Sequence, residues 1–272
     1  MQRLLRVPRP TLRRLALTAA MVAVIATTAG PAAHPAPVQA STSTTMESEL
    51  LGWINGARSR RGLAPLRQIS TLTSFAESRA AHMASTGVLA HPSCLSCTLT
   101  AAGIPWYSNG EDIGWTNYPW GDQAALSIYN AWKASSGHWA MLMSSTYNYI
   151  GLGVAYRSSN HSTFAAADLT ESRDMTRPWA KMGGVSRSGS TVSWTWSGND
   201  SWLQTHESGL KNFDVEYRVD SGSWTLIKSG TTARSLSLSG RAGGHYYGLR
   251  VQDRDNKGYL SAWTAELRLW VP

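Results

Sequence analysis

The feature that most constrains this chain is a change of hydrophobic period near residue 175. Upstream of it, apolar residues recur at three- and four-residue steps; downstream, they alternate at every second position. Helices bury one stripe with the first period and strands one face with the second, so the two halves cannot share one architecture. Met46, Leu50, Trp53, Ile54 and Ala57 build a stripe that predicts a helix over 46–60, with Thr44 and Glu47 at capping-box spacing and Gly62 at its end. Ile69, Leu72, Ala76, Ala80 and Met83 predict a second helix over 70–85, stopped by Gly87. A third is expected over 123–134, with Asp122 as N-cap and Ala125, Ile128, Tyr129 and Trp132 inward. Ser135-Ser136-Gly137 breaks it, and a short helical turn is expected over 138–143.

Residues 149–156 then change the pattern. Ile150, Leu152, Val154 and Tyr156 alternate with Gly151, Gly153 and Ala155, a strand with one bulky and one bare face. A bare face lets another element approach closely. A turn at 158–160 returns the chain for a partner strand over 163–169, so helices followed by antiparallel strands read as α+β. From Thr191 onward, Val192, Trp194 and Trp196 share a face, as do Phe213, Val215, Tyr217 and Val219, then Tyr247, Leu249 and Val251, and finally Leu267, Leu269 and Val271. Turns at Gly198-Asn199, Asp220-Ser221-Gly222 and Asp255-Asn256-Lys257-Gly258 separate short strands, the pattern of a β-sandwich. The expected organisation is a domain over 46–172, a linker over 173–184 and a β-domain over 185–272.

The first forty residues read as a leader. Arg3, Arg6, Arg9, Arg13 and Arg14 precede an apolar run from Leu15 to about Thr28, and the segment ends Val38-Gln39-Ala40. A positive flank, a short apolar run and a small-residue exit are the parts of a secretory signal peptide. The run is shorter than the roughly 20 residues that span a bilayer, and no later stretch qualifies, so the mature chain is expected to carry no transmembrane segment. The leader also explains the basicity. The chain has 25 Lys+Arg against 17 Asp+Glu, a net +8; five of the basic residues and none of the acidic ones fall in 1–40, leaving 20 against 17, a net +3. No basic stripe remains to hold nucleic acid. Arg58, Arg60 and Arg61 cluster at a predicted helix end, where they complement the helix dipole. Cys94 and Cys97 are the only cysteines. In an exported protein the pair is expected to be oxidised; redox activity would need a helix N-terminus beneath the thiols, and zinc two further ligands.

Three polar segments of the first domain could carry chemistry: 90–93 around His91, 109–115 around Glu111 and Asp112, and 135–143 around His138. Imidazoles ligate metals or move protons near neutral pH, and a carboxylate can orient them or act as base. No H-E-x-x-H, G-x-S-x-G or compact EF-hand loop is present. His82, His161, His206 and His245 have no evident partner and are assigned to no site.

Five pieces in order carry a resemblance to the CAP superfamily of cysteine-rich secretory, antigen and pathogenesis-related proteins, in its bacterial SCP-like branch. They are Trp53-Ile54-Asn55-Gly56-Ala57-Arg58, Leu89-Ala90-His91, Gly110-Glu111-Asp112-Ile113, Ala131-Trp132-Lys133-Ala134-Ser135-Ser136-Gly137-His138 and Ile150-Gly151-Leu152-Gly153-Val154-Ala155-Tyr156. The resemblance covers about residues 46–171. It implies an α-β-α sandwich with a central antiparallel sheet, and a cleft of two histidines and two acidic residues that binds a divalent metal, such as zinc, in some members. His91, Glu111 and His138 match three of the four; Ser135 stands where the second acid would be. The tentative metal ligands are His91 and His138, and Glu111 is the catalytic residue if the protein is a hydrolase. Asp112, in place of the usual asparagine, either restores the missing charge nearby or, the preferred reading, caps a turn or bonds backbone.

The second domain resembles a bacterial fibronectin type III module, an immunoglobulin-like sandwich, through Val192-Ser193-Trp194-Thr195-Trp196, Phe213-Asp214-Val215-Glu216-Tyr217-Arg218 and the stretch 247–258. Such modules are often spacers or adhesive units. Trp202 and Trp224 either pack or stack on sugar rings. The function expected from both resemblances is a secreted binding protein whose partner is an extracellular ligand, a cell-wall polymer or another protein. The alternative is a metal-assisted hydrolase of extracellular peptide or cell-wall glycan.

Overall fold

The computed structural model describes residues 43–118 and 120–272; the leader expected over 1–40 lies outside them. The first part of the chain comprises α1 (Ser43–Ser59), α2 (Ser70–Thr86), α3 (Leu95–Ala101), β1 (Ser108–Thr116), α4 (Asp122–Ala134), α5 (Ser136–Leu142), β2 (Tyr149–Arg157) and β3 (Ser162–Glu171). The three strands form an antiparallel sheet in the order β1-β3-β2. Its register sets Glu111 opposite Asp168, and Asp168 opposite Gly151, so these three share one face.

That face is covered by α2, and glycine sets how closely the helix sits. A Cβ on Gly151 would lie 2.1 Å from the Leu72 carbonyl oxygen, and one on Gly153 2.2 Å from the Glu77 nitrogen. The bare face of β2 is thus the seat of α2, as its composition implied. Ala76, Met83, Ile113, Phe164 and Ala166 fill the interface. The opposite face, with Ile150, Leu152, Val154, Ala165 and Ala167, meets α1 through Met46, Leu50 and Ile54, and α4 through Ala125, Ile128 and Trp132. This is the expected α-β-α layering.

Two side chains on α1 act through tertiary contacts instead of local ones. Glu47 is buried, and its Oε1 accepts a 3.2 Å bond from the Val154 amide; burial pushes its pKa up to about 7. It ties α1 to the sheet and does not close a capping box. Arg58 is fully buried and does not lie at the surface as a partner of the helix dipole. Its Nε donates to the Ala64 carbonyl at 2.9 Å and its Nη1 to those of Leu142 and Ser144 at 2.9 and 2.8 Å. Burial holds its pKa down near 10. Arg61 does stay outside, over the Trp139 ring at 5.2 Å.

Two elements have no periodic signal in the sequence. α3 is only seven residues long, too short to show a stripe, and a Cys94–Cys97 disulfide closes its first turn. β1 contains Gly110, Glu111, Asp112 and Gly114 and reads as loop, yet it is buried from Gly110 to Gly114. Side chains from α4, α5 and the following loop fill the space beside its glycines: Ile128 and Trp132 at Gly114, Met141 and Tyr147 at Gly110.

The β-domain contains β4 (Trp179–Ser188), β5 (Thr191–Asn199), β6 (Leu210–Val219), β7 (Thr225–Thr231), β8 (Ser235–Leu238), β9 (His245–Asp255) and β10 (Leu267–Val271). They form two sheets, β10-β9-β6-β7 and β4-β5-β8, packed on Val192, Trp194, Trp196, Phe213, Val215, Leu249 and Val251. It is a two-sheet β-sandwich, as the alternation implied. β4 begins at Trp179, inside the segment expected as linker. It is an edge strand with Gly183-Gly184 at a bulge, so its alternation is interrupted. Trp224 is stacked between the guanidinium groups of Arg218 and Arg250, at 4.5 and 4.4 Å, whereas Trp202 is 52% exposed.

Candidate functional site

The site is built around β1, the edge strand of the first sheet. Consecutive strand residues point to opposite faces, which separates the two acids of the Gly-Glu-Asp segment. Glu111 points under α2; Asp112 points toward α4 and α5. Of these two acids, only Glu111 shares the face covered by α2 with Asp168.

Glu111 has only 1% of its side chain exposed and is held at both oxygens. Arg79, on α2, donates Nε to Oε1 at 2.7 Å and reaches Oε2 with Nη2 at 3.4 Å. The same Nη2 donates to the Ala90 carbonyl at 2.7 Å, fixing the loop that carries His91. His91 Nδ1 lies 2.7 Å from Glu111 Oε2. A carboxylate paired with arginine is an acceptor, so His91 Nδ1 is the donor. Carboxylate–histidine pairs of this kind orient metal-ligating imidazoles. The His91 side chain is 35% exposed.

His138 sits in the first turn of α5. Its Nδ1 is buried without a hydrogen-bond partner. Burial, and after it the charge of His91, hold its pKa below the ordinary histidine value, which puts the two imidazoles within electrostatic reach of one another. Ser135 joins α4 to α5: its N–H bonds to the Ala131 and Trp132 carbonyls and its carbonyl accepts from Trp139. Its role here is to turn the backbone so that His138 follows the helix break.

Two groups of the site escaped sequence reasoning, and a third, Asp112, has a role other than the one expected. Arg79 looks like one more polar residue on a helix, and only its spacing from Ala76 and Met83 on the sheet-facing stripe hinted at burial. Asp168, on β3 directly across from Glu111, is fully buried with neither oxygen bonded. Burial and then the Glu111 charge raise its pKa well above the carboxylate range, against the pull of Arg79. Asp112 makes no backbone bond: both its oxygens are buried without partners, and burial followed by the Glu111 charge pushes its pKa up to about 8. It is kept as a neutral acid.

The donors fit a metal only in part. His91 Nε2 and His138 supply imidazole nitrogens, but each Glu111 oxygen already has a donor, which suits an orienting role and not ligation. Zinc sites usually take three or four protein ligands. Among the described residues, the grouping of three ligand atoms close enough to share an ion lies elsewhere, at Asp174, Asp200 and Asp255.

Comparisons with known proteins follow the same outline. Residues 51–168 match the model of CAP, the cysteine-rich secretory protein family. No curated protein matches the chain. An extracellular protein containing an SCP domain from Bacillus anthracis aligns over 47% of this chain and 41% of its own at 19% identity, TM-score 0.40. An outer surface protein from Borrelia burgdorferi aligns over 50% of this chain and 98% of its own at 14% identity, TM-score 0.42. An Fn3-like protein from Clostridium thermocellum aligns over 36% of this chain and 96% of its own at 23% identity, TM-score 0.26. The chain thus spans about two fifths of the Bacillus protein. The part of the chain that carries Arg79, His91, Glu111 and His138 is thus the part that matches the cysteine-rich secretory protein family model.

Proposed function

We propose that this protein is exported and binds a ligand through the His91–His138 imidazole pair, with the β-sandwich as a spacer toward a cell-wall polymer or partner protein. Export is supported by the leader pattern of residues 1–40, by the Cys94–Cys97 disulfide and by the CAP domain. Among the described residues no helix is long and apolar enough to cross a membrane.

One observation carries the binding reading: Glu111 is engaged by Arg79 at 2.7 Å and by His91 at 2.7 Å. With only 1% of its side chain exposed, a carboxylate so engaged does not meet the water it would have to deprotonate, whereas it holds His91 by Nδ1. A fixed imidazole beside a second, uncharged one suits a divalent cation of imidazole-binding type, such as zinc, or a small ligand with donor groups. When bound, a divalent cation would supply a positive charge to attract an anionic or oxygen-bearing partner. Arg79 and Glu111 would orient His91, and the burial of His138 would keep it neutral.

Calorimetry with ZnCl2 tests this on the mature chain and on His91→Ala and His138→Ala. Binding in the wild type, weakened in both variants, is expected; negligible heat in all three refutes the cation reading. Product release from a peptide or cell-wall panel, abolished by Glu111→Gln, would instead establish the hydrolase.

A further inference from the structure

Among the described residues, a cluster of three buried acids lies away from the histidines, where the two domains meet. Asp174 follows β3 on the chain leaving the CAP domain, Asp200 follows β5, and Asp255 ends β9. They are 1%, 2% and 0% exposed, and one carboxylate oxygen from each lies within 4.8 Å of the others. Their hydrogen bonds come from neutral donors. Asp174 accepts from the Thr176 N–H and hydroxyl at 2.8 and 2.7 Å and from the Ser208 N–H at 2.9 Å. Asp200 accepts from the Ser201 N–H at 2.8 Å and the Ser208 hydroxyl at 2.9 Å. Asp255 accepts from the Lys257 and Tyr259 N–H groups at 2.8 Å each, both on Oδ1. Its Oδ2 is buried and has no partner. Among the described residues, no lysine or arginine forms an ion pair with any of the three.

A second observation points the same way. Asp253 lies two residues before Asp255 on the same strand, hence on the same face. It is fully buried, and neither of its oxygens is hydrogen-bonded. Its carboxyl therefore lies unpartnered on the side of the strand that Asp255 occupies. Buried carboxyls without cationic partners either keep a proton, as Asp112 and Asp168 do, or coordinate a metal; three with oxygens this close suit the second. A hollow of roughly 330 Å³ opens at Asp174 between Tyr107, Glu207 and Asn256, with Arg173 and Lys257 also on its wall, and gives a hydrated ion a way in.

We propose that Asp174, Asp200 and Asp255, with Asp253 beside them, form a calcium site that clamps the CAP domain to the β-sandwich. The donors are all oxygen, which selects a hard cation over zinc. They come from three separate segments. Calcium tolerates irregular shells of six to eight oxygens, whereas magnesium demands a near-ideal octahedron. The clamp reading follows from what surrounds the site. Ser208 donates to both Asp174 and Asp200, and the loop that carries it docks on the CAP domain. Leu203 of that loop is buried with Leu72, Leu99, Ile104 and Tyr149, and Gln204 Oε1 accepts from the Ala64 amide at 2.8 Å. An ion that neutralises the three acids would fix the departing chain, the docked loop and β9 in one arrangement.

The test uses the mature chain, freed of metal with EDTA and titrated with CaCl2, MgCl2 or ZnCl2. Calcium at a hundredfold excess over its dissociation constant is expected to raise the melting temperature by about 5–10 °C and to slow proteolysis between Ser172 and Trp179. Asp200→Asn and Asp255→Asn keep the accepting amide oxygen and remove charge, so both are expected to fold without metal and to lose most of the calcium response. His91→Ala is expected to keep it in full, which separates this site from the imidazole pair. Absence of a calcium-induced shift in the wild type, or an undiminished shift in both Asp variants, overturns the site. An equal response to magnesium overturns the calcium assignment, and an unchanged cleavage rate overturns the clamp.

Discussion

Replacing Glu111 by Gln removes the charge at the centre of the imidazole site while keeping its shape. The Arg79 guanidinium, whose side chain is 12% exposed, would keep its bond to the Ala90 carbonyl but lose its counter-ion. Removing one partner of a buried pair costs about 3–5 kcal/mol, because the survivor stays charged in a poor solvent. Asp168 changes that figure here. It lies across the strand from Glu111, and its carboxyl is held neutral first by burial and second by the Glu111 charge, while Arg79 pulls it toward ionisation. Without the Glu111 charge, Asp168 can ionise and serve Arg79 instead. Glu111→Gln alone is therefore expected to lose about 1–2 kcal/mol at pH 7, and Glu111→Gln with Asp168→Asn the full 3–5 kcal/mol. Asp168→Asn alone exchanges one neutral buried group for another and should cost under about 1 kcal/mol. Urea denaturation of the four proteins gives the cycle. Additivity of the two single changes to within about 0.5 kcal/mol, or a loss as large in the single Gln variant as in the double, would refute the idea that Asp168 stands in as a second counter-ion.

Three further outcomes follow from single residues of the first domain. Asp112 has a folded-state pKa of about 8 against 3.8 for the free carboxyl, so the native state holds a proton that the unfolded chain gives up. Its stabilising contribution is complete below about pH 4 and is lost as pH rises to about 8, at up to about 1.4 kcal/mol per pH unit. Asp112→Asn should flatten that part of the stability–pH curve, and parallel curves for the two proteins would contradict it. Gly151→Ala drives a methyl to 2.1 Å from the Leu72 carbonyl oxygen; since backbone cannot rotate aside, a loss of about 3 kcal/mol or more is expected. Gly52→Ala, at an exposed position of α1 with nothing within 4 Å, should gain about 0.5–1 kcal/mol, and calorimetric melting of both variants checks the contrast.

Much of the architecture follows from local pattern. The stripes of α1, α2 and α4, the bare face of β2 and the alternation of β5, β6 and β9 each reflect a single element meeting one apolar surface, which leaves a periodic trace in the sequence. The histidines and Glu111 could be picked out because residue type and order survive without coordinates. What the sequence left undetermined are effects of two elements meeting. β1 reads as loop because its buried faces are glycine and acid, and only the packing of Met141, Tyr147 and Trp132 against it makes a strand there. Arg58 and Glu47 have the composition of surface residues, and their burial depends on carbonyls and amides brought in from α5 and β2. Arg79 and Asp168 join Glu111 across α2 and β3. The four aspartates at 174, 200, 253 and 255 lie on three separated segments and carry no spacing signature, because folding of both domains is what sets their oxygens side by side.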